Sequence, residues 1–170
     1  MNLNKNLVFL GMMGSGKSSI GNLVSKKLNL AFVDIDNLIV ENAGMSISEI
    51  FVKKGEDYFR NLEEKITIKS LKKNKNVIAL GGGGFINAKI RKEILTNHFS
   101  FWLNSDETTL LKRIKGSKKR PLAFNSTDKK IKMIIKNRSK IYANAQFKIN
   151  CNKLTKTEIV KKIIKIYELN

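Results

Sequence analysis

One short stretch near the start of the chain restricts the possible folds more than any other. Residues 11–18 read Gly-Met-Met-Gly-Ser-Gly-Lys-Ser, which matches the pattern G-x-x-x-x-G-K-[ST]. The stretch lies between an apolar run of strand length and a segment with apolar residues at helical spacing, which is the context that a phosphate-binding loop requires. Such a loop turns backbone N–H groups toward phosphate oxygens at the amino end of a helix. The pattern therefore predicts a nucleotide-binding unit, with a plain glycine turn as the alternative.

The residue types in this loop indicate separate roles. Lys17 is expected to reach the β- and γ-phosphates of ATP, which makes it a predicted catalytic residue, and the Ser18 hydroxyl is expected to bind Mg²⁺. The predicted nucleotide-binding residues of the loop and of the helix start are Gly14, Ser15, Gly16, Lys17, Ser18 and Ser19.

The rest of the chain alternates between apolar runs of strand length and segments of helical period. That order is typical of βαβ units around a parallel sheet, and so of an α/β protein. The five predicted parallel strands are 7–10, 31–35, 77–80, 99–103 and 147–151. The last helix is predicted to begin with a capping box from Thr155 to Glu158.

Two stretches interrupt this alternation. Residues from about 36 to 73 are predicted to form a helical insertion between the second and third strands, and residues from about 115 to 128 are a polar, lysine-rich loop that holds the only proline, Pro121. Ligands of an open α/β sheet gather beyond the carboxyl ends of its strands, so we expect the insertion to wall a substrate site and the loop to act as its lid. Because nothing suggests a linker, residues 1–170 are expected to form one domain.

The charge balance needs a separate explanation. The net charge is +19, which taken alone is typical of nucleic-acid-binding proteins. However, 28 of the 33 basic residues are lysines, spread over nearly every segment and not gathered into one stripe with aromatic residues. We therefore expect no nucleic-acid partner, and we attribute the charge to a compositional bias on solvated surfaces.

Other classes of protein and site are excluded by simple counts. No apolar run approaches the roughly 20 residues of a membrane span, and the first residues do not resemble a signal peptide. A cytoplasmic protein without a membrane partner is expected. Cys151 is the only cysteine and His98 the only histidine, so we expect structural roles for both and neither a disulfide nor a zinc site.

Acidic residues and glycines follow two of the predicted strands. Asp34 and Asp36 are expected to end the second strand, where their i, i+2 spacing points both carboxylates to one side. Phosphoryl transfer needs one carboxylate near the metal and another to orient or deprotonate the acceptor hydroxyl, although helix-capping acids are an alternative. The glycine run 81–84 follows the third strand and would let a substrate approach the backbone closely, with a flexible turn as the alternative.

Five arginines stand out in a chain that otherwise uses lysine for positive charge. A planar guanidinium binds a carboxylate or phosphate through two N–H groups. Arg138 falls on the inward apolar stripe of a helical segment, so we expect it to bind an anion, with a salt bridge to Glu63 or Glu64 as the alternative. Arg60 is followed one turn later by Glu63, which could fix its guanidinium for a carboxylate.

The other three arginines lie elsewhere in the chain. Arg120, beside Pro121 in the predicted lid, is expected to close over the transferring phosphoryl group and is a predicted catalytic and nucleotide-binding residue. Arg113, on the helix that leads into the lid, is a candidate for stacking on adenine. Arg91 receives no role from the sequence.

Together these motifs resemble those of shikimate kinases, in the family's order and over nearly the whole chain. The motifs that carry the resemblance are the phosphate-binding loop, Asp34-Ile35-Asp36, residues 44–51, Tyr58-Phe59-Arg60 with Glu63, the glycine run after Leu80, Arg120-Pro121-Leu122, and Arg138 with Tyr142. The resemblance implies a three-layer α/β/α P-loop kinase fold with a five-stranded parallel sheet, a helical substrate-binding insertion and a lid. It also implies a monomer that uses ATP and Mg²⁺.

The resemblance further implies a role for each residue near the acceptor. By analogy, Asp34 supports the metal together with Ser18, and Asp36 orients or deprotonates the 3-hydroxyl of shikimate as a catalytic residue. The implied shikimate-binding residues are Asp36, Arg60, Gly82, Gly83 and Arg138, with the two arginines on the carboxylate. The implied reaction converts ATP and shikimate to ADP and shikimate 3-phosphate, on the route to chorismate and aromatic amino acids.

Two other interpretations stay open at this point. The first is a kinase of another small acceptor on the same fold, such as gluconate or a nucleoside monophosphate. The second is a basic P-loop protein that binds nucleic acid or acts as a nucleotide-dependent switch, whose binding to DNA or RNA would depend steeply on salt.

Overall fold

A sheet of five parallel strands forms the centre of the molecule in the computed structural model, which describes residues 5–115 and 127–170. The strands are β1 Leu7–Leu10, β2 Ala31–Asp34, β3 Asn76–Ala79, β4 Phe99–Asn104 and β5 Phe147–Asn150. Their order across the sheet is β2-β3-β1-β4-β5. In the middle of the sheet, Leu7 of β1 lies opposite Val77 on one side and Phe99 on the other. The five predicted parallel strands are confirmed, with ends that differ by at most one residue.

Within the described residues, seven α-helices connect or follow the strands. They are α1 Lys17–Leu28, α2 Ile35–Ala43, α3 Ile47–Leu71, α4 Ala88–Asn97, α5 Glu107–Lys115, α6 Asp128–Tyr142 and α7 Lys156–Glu168. A short 3-10 helix, Gly84–Ile86, lies between β3 and α4. In residues 5–115 and 127–170, no helix combines the length and the apolar character needed to cross a membrane.

Alternate strand residues face two apolar clusters, one on each side of the sheet. Val8 and Leu10 of β1 belong to a cluster completed by α2, α3, α4, α5 and α6. Leu7 and Phe9 belong to the other cluster, which α1 and α7 cover. Both faces of a parallel sheet must be covered in this way, because its strands are apolar on both sides. The predicted three-layer α/β/α fold is confirmed.

The end of β2 differs from the prediction in a way that affects the site. Asp34 is the last residue of the strand, and Asp36 lies in the first turn of α2. The carboxylate of Asp34 accepts the backbone N–H of Asn37 at 3.3 Å, so it caps the helix that begins at Ile35. The prediction that both carboxylates end a strand is therefore wrong for Asp36, and the capping alternative applies to Asp34.

The structure describes the whole of the predicted insertion but only the two ends of the predicted lid. The insertion consists of α2 and α3, and α3 begins with a capping box from Ser46 to Glu49. Gly55 has φ 83° and ψ 171°, values that glycine adopts readily and other residues rarely do, and they bend α3 there. Of the predicted lid, Lys115 ends α5 and Asp128 begins α6, while residues 116–126 lie outside the described residues.

Candidate active site

The phosphate loop, residues 11–18, connects β1 to α1. Gly11, Gly14 and Gly16 have φ values of 139°, 84° and 95°, so the loop depends on three glycines with a positive φ. Lys17 is buried, and its Nζ donates to two carbonyl oxygens of the same loop at 3.0 and 3.1 Å. The ammonium group is therefore held at the amino end of α1, where the backbone already favours the negative charge of a phosphate.

The Ser15 hydroxyl lies inside this loop, and the Arg113 side chain contacts the loop from outside. The Ser15 hydroxyl is buried and has no hydrogen-bond partner among the described residues. A phosphate oxygen would supply the missing acceptor, so the loop fits a bound nucleotide. Arg113 on α5 donates from Nη1 to the carbonyl oxygen of Gly14 at 3.1 Å, which fixes the loop from the side. Its predicted stacking on adenine stays a prediction.

The groups expected near the metal are oxygen ligands. Ser18 is an exposed residue in the first turn of α1, with Ser19 beside it, and Asp34 ends β2. The described residues contain no group of three or more His, Cys, Asp or Glu side chains that could hold a metal by themselves. Mg²⁺ in phosphoryl-transfer sites usually needs only one or two protein ligands beside phosphate and water, so one hydroxyl and one carboxylate fit this ion.

Asp36 faces the glycine run that follows β3. A Cβ atom added to Gly81 would lie 2.6 Å from Oδ1 of Asp36 and 2.6 Å from Oε1 of Glu63, so any other residue there would push these two carboxylates aside. Burial raises the pKa of Asp36 to about 6. The Lys17 ammonium opposes this rise in pKa, and the carboxylates of Asp34 and Glu63 add to it.

The next two glycines, Gly82 and Gly83, lie between the phosphate loop and a predicted substrate-binding residue, Arg60. A Cβ atom on Gly82 would lie 3.3 Å from the backbone nitrogen of Met13 in the phosphate loop. A Cβ atom on Gly83 would lie 2.5 Å from Nη1 of Arg60. The glycines therefore permit close packing on both sides, which the alternative of a merely flexible turn does not explain.

Two side chains of α6 hold the carbonyl oxygen of Gly82. Arg138 donates to it from Nη1 at 3.0 Å, and the hydroxyl of Tyr142 donates to the same oxygen. Burial raises the pKa of Tyr142 to about 12, so the hydroxyl keeps the proton that it donates. Arg138 itself is half-buried beside the glycine run.

Arg60 is held by two glutamates of its own helix, α3. Its Nη1 donates to Oε2 of Glu63 at 2.7 Å, and its Nε and Nη2 donate to Oε1 of Glu56 at 3.3 and 3.1 Å. The prediction that Glu63 fixes this guanidinium is confirmed.

The alternative predicted for Arg138, a salt bridge to Glu63 or Glu64, is wrong. Glu63 forms its ion pair with Arg60, and Glu64 forms its ion pair with Lys89 at 2.7 Å. Arg138 instead binds a backbone carbonyl and is not neutralised by either acid, so it can still take a substrate anion.

Comparison with known proteins identifies the family. The sequence model of shikimate kinases matches residues 13–168. The shikimate kinase of Thermodesulfovibrio yellowstonii is 40% identical over 96% of this chain and 95% of its own length. The chain belongs to the shikimate kinase family. Among solved structures, the shikimate kinase from Acinetobacter baumannii in complex with shikimate has a TM-score of 0.94 at 27% identity, covering 99% of this chain and 95% of that one. That of Aquifex aeolicus has a TM-score of 0.85 at 36% identity, covering 96% of each chain.

Membership in the shikimate kinase family confirms the general expectations from the sequence. The chain is a phosphotransferase of the P-loop kinase fold that uses ATP and Mg²⁺ and acts on an alcohol group of shikimate. Family membership does not assign a role to each residue, because a role depends on the contacts that the residue makes in this chain.

The described structure brings most of the predicted site residues into two adjoining groups. The nucleotide group on the β1–α1 turn is Gly14, Ser15, Gly16, Lys17, Ser18 and Ser19, with Arg113 against it. The acceptor group is Asp36, Arg60, Gly82, Gly83 and Arg138. Arg120 lies outside the described residues.

Two side chains with clear roles in this geometry were not assigned any from the sequence. Tyr142 is named from the sequence only with Arg138, among the motifs that carry the resemblance, although its hydroxyl donates to the carbonyl oxygen of Gly82. Glu56 received no role, although it binds Arg60 through two N–H groups. The i, i+4 spacing of Glu56 and Arg60 on a predicted helix was the available signal. For Tyr142 no local signal existed, since its partner lies 60 residues away.

Proposed function

We propose that this chain transfers the γ-phosphoryl group of ATP to the 3-hydroxyl of shikimate in a pocket formed by α2, α3, α6 and the glycine run 81–84. One observation carries the proposal. Gly82 lies against Met13 of the phosphate loop and accepts a hydrogen bond from Arg138. An acceptor held by the arginine would therefore have its hydroxyl next to the terminal phosphate, which is the arrangement that in-line transfer needs.

On the nucleotide side, this chain supplies positive charge and backbone donors. The N–H groups of the loop and of the first turn of α1 would bind phosphate oxygens, and Lys17 would neutralise the charge that develops on the transferring group. We assign nucleotide binding to residues 14–19, with Arg113 holding the loop from α5. We assign Arg120 to the transferring phosphoryl group on the family resemblance.

Ser18 and Asp34 would hold the metal. The hydroxyl of Ser18 would bind it directly, and the carboxylate of Asp34 would support it through water while still capping α2. When bound, Mg²⁺ neutralises phosphate charge and orients the terminal phosphoryl group.

On the acceptor side, Asp36 would accept a hydrogen bond from the 3-hydroxyl and take its proton. The hydroxyl oxygen forms a bond to the γ-phosphorus while the bond from that phosphorus to the bridging oxygen of ADP breaks, with no covalent enzyme intermediate. A carboxylate with a pKa near 6 is ionised at neutral pH and is a stronger base than an exposed aspartate. Arg60 and Arg138 would bind the carboxylate of shikimate, and the backbone of Gly82 and Gly83 would contact its ring.

The same proposal includes the setting of the enzyme. Residues 1–170 would act as one domain and as a monomer in the cytoplasm, without a nucleic-acid or membrane partner. The proposed absence of a nucleic-acid partner is supported by the distribution of 28 lysines over nearly every segment, which provides no concentrated basic stripe. Elution at the monomer mass of 19.3 kDa in gel filtration is the expected result.

Release of ADP from ATP and Mg²⁺ in the presence of different acceptors tests the proposal. The acceptors are shikimate, quinate, gluconate, AMP and CMP, each assayed with the wild-type protein. We expect turnover with shikimate alone. Turnover with gluconate or a nucleotide and none with shikimate would keep the nucleotide site and contradict the proposed acceptor pocket. Salt-sensitive binding to DNA without turnover would favour the nucleic-acid alternative.

A further inference from the structure

Arg60 has a different surrounding from the other arginine of the acceptor pocket. A guanidinium carries five N–H groups. Glu56 uses the Nε–H and one N–H on Nη2, and Glu63 uses one N–H on Nη1. These are the hydrogen bonds of Arg60 within the described residues, so one N–H is left on each terminal nitrogen. Those two nitrogens also lie against Gly83, at 2.5 and 3.2 Å from the position a Cβ would take there.

We propose that Glu56 is a positioning residue for substrate binding: it closes the side edge of the Arg60 guanidinium, so that only the two remaining N–H groups face the acceptor pocket. The inference rests on the proposed function, in which Arg60 receives the carboxylate of shikimate. It adds a residue that touches neither shikimate nor ATP and acts through Arg60 alone.

The geometry explains why Glu63 is not sufficient for this role. Glu63 holds a single nitrogen, Nη1, and the Phe59 ring lies against the face of the group, 5.0 Å from ring centroid to Cζ, so neither contact fixes rotation within the plane of the guanidinium. Glu56 binds the opposite edge through Nε and Nη2 at 3.3 and 3.1 Å, which fixes the second end of the plane. A guanidinium fixed at both ends loses less freedom when a carboxylate binds, because its orientation is already set.

The exposed fractions of Glu63, Arg60 and Glu56 indicate whether loss of Glu56 should change stability or substrate affinity. Glu63 is only 3% exposed, Arg60 is 30% exposed and Glu56 is 55% exposed. An exposed ion pair contributes little to the stability of a fold. Loss of Glu56 should therefore leave the folded protein intact and change the affinity for the substrate carboxylate, which separates positioning from a merely structural role.

The test uses variants of the full chain and steady-state kinetics with shikimate and ATP varied in turn. Glu56→Ala removes the acceptor, and Glu56→Gln keeps an oxygen acceptor without the charge. Asp57→Asn removes a carboxylate from the neighbouring position of the same helix and is the matched control. Arg60→Ala and the double variant Glu56→Ala with Arg60→Ala show whether Glu56 acts through the arginine. Thermal unfolding of each variant checks the fold.

We expect KM for shikimate to rise about tenfold in Glu56→Ala and about threefold in Glu56→Gln. The values of kcat and of KM for ATP should stay within about twofold, as should every parameter of Asp57→Asn. In the Arg60→Ala background, the further change Glu56→Ala should alter KM for shikimate less than about twofold.

Three results would overturn the inference. An unchanged KM in Glu56→Ala would show that Glu63 and the Phe59 ring position the guanidinium without Glu56, and a lower KM would show that Glu56 competes with the substrate for Arg60. Full additivity in the double variant would show that Glu56 acts by another route. Failure of the proposed function is distinguishable from all three, because Arg60→Ala by itself would then leave KM for shikimate unchanged.

Discussion

The phosphate loop and the proposed acceptor pocket meet at Gly82, yet they would bind their ligands by different means. The loop is a run of consecutive residues whose binding groups are mostly backbone N–H groups and one buried lysine. The acceptor pocket is built from charged side chains on α2, α3 and α6, arranged around a glycine run. Backbone donors recognise any phosphate, whereas spaced arginines and a carboxylate recognise one acceptor. Chemistry common to many kinases is thus local in the sequence, and substrate choice comes from the tertiary structure.

The largest expected effect lies in the loop. Lys17→Met keeps most of the apolar length of the side chain and removes the ammonium group that its loop carbonyls hold. We expect kcat to fall by about 10³-fold, since one preorganised charge at the transferring group contributes that much. Lys26→Ala, on the exposed side of the same helix, should retain full activity. Comparable activity of Lys17→Met and wild type would show that backbone donors suffice.

Asp36→Asn should lower kcat by about 10²- to 10⁴-fold, the usual contribution of a general base. The stability of the Asp36→Asn variant, in contrast, should not fall. Because the folded-state pKa of Asp36, about 6, lies above the ordinary value of 3.8, its contribution to stability is full below pH 3.8 and is lost as the pH rises through 6. At pH 7 the ionised carboxylate destabilises the fold, so the variant should melt at the wild-type temperature or higher.

Glu41→Gln, which changes an exposed acid of the same helix, is the control for Asp36→Asn. It should leave both kcat and the melting temperature unchanged. A variant Asp36→Asn with normal kcat would remove Asp36 from the chemistry, and one that melts lower would contradict the destabilising effect of the buried charge.

A smaller effect is expected where α6 holds the glycine run. Tyr142→Phe removes one of the two donors to the carbonyl oxygen of Gly82, while Arg138 still binds it. We expect KM for shikimate to rise about three- to fivefold, with KM for ATP unchanged, and a loss of about 1 kcal/mol of stability. Tyr167→Phe, a buried tyrosine on the opposite face of the sheet, serves as control. Equal rises in both KM values would mean that the glycine run supports the two sites together.

The smallest effect is expected at the other end of the sheet, at His98. Burial lowers the pKa of His98, with Lys5 also lowering it and Glu93 opposing. A lowered pKa means that stability is retained above the unfolded-state value of about 6.5 and is lost as the pH falls through the lower folded-state value. The free energy of unfolding should fall more between pH 7 and 5 in wild type than in His98→Gln, by about 1 kcal/mol or less. Urea midpoints at both pH values measure this, and equal slopes would contradict it.

These differences also explain what the sequence could and could not predict. The phosphate loop was predictable residue by residue, because its pattern is contiguous and its conformation depends on its own glycines. The five strands were predictable from apolar runs. The placement of Asp36 at the end of β2 is wrong because Asp34 caps α2, which begins at Ile35, and the alternation of apolar and polar residues does not show this local hydrogen bond.

For the proposed acceptor pocket, the sequence indicated the residues better than it indicated their hydrogen-bond partners. The composition singled out the arginines, but Arg138 binds the Gly82 carbonyl and not a glutamate. Arg91, to which the sequence gave no role, donates from Nη1 to the carbonyl oxygens of Phe85 and Ile86 at 3.0 and 2.8 Å and so holds the 3-10 helix after the glycine run. Such partners are far apart or irregular in the chain, and only the packing of helices on the sheet brings them together.

The most direct test of the central claim is to compare shikimate with its carboxamide, which keeps the ring and the hydroxyls but lacks the negative charge. The values of kcat/KM for both acceptors are measured with wild type and with Arg138→Ala. We expect wild type to prefer shikimate by about 10²-fold or more and Arg138→Ala to lose most of that preference, since charge-assisted bidentate contacts are involved. An equal loss of kcat/KM for both acceptors, with the preference unchanged, would contradict the assignment of this arginine to the carboxylate.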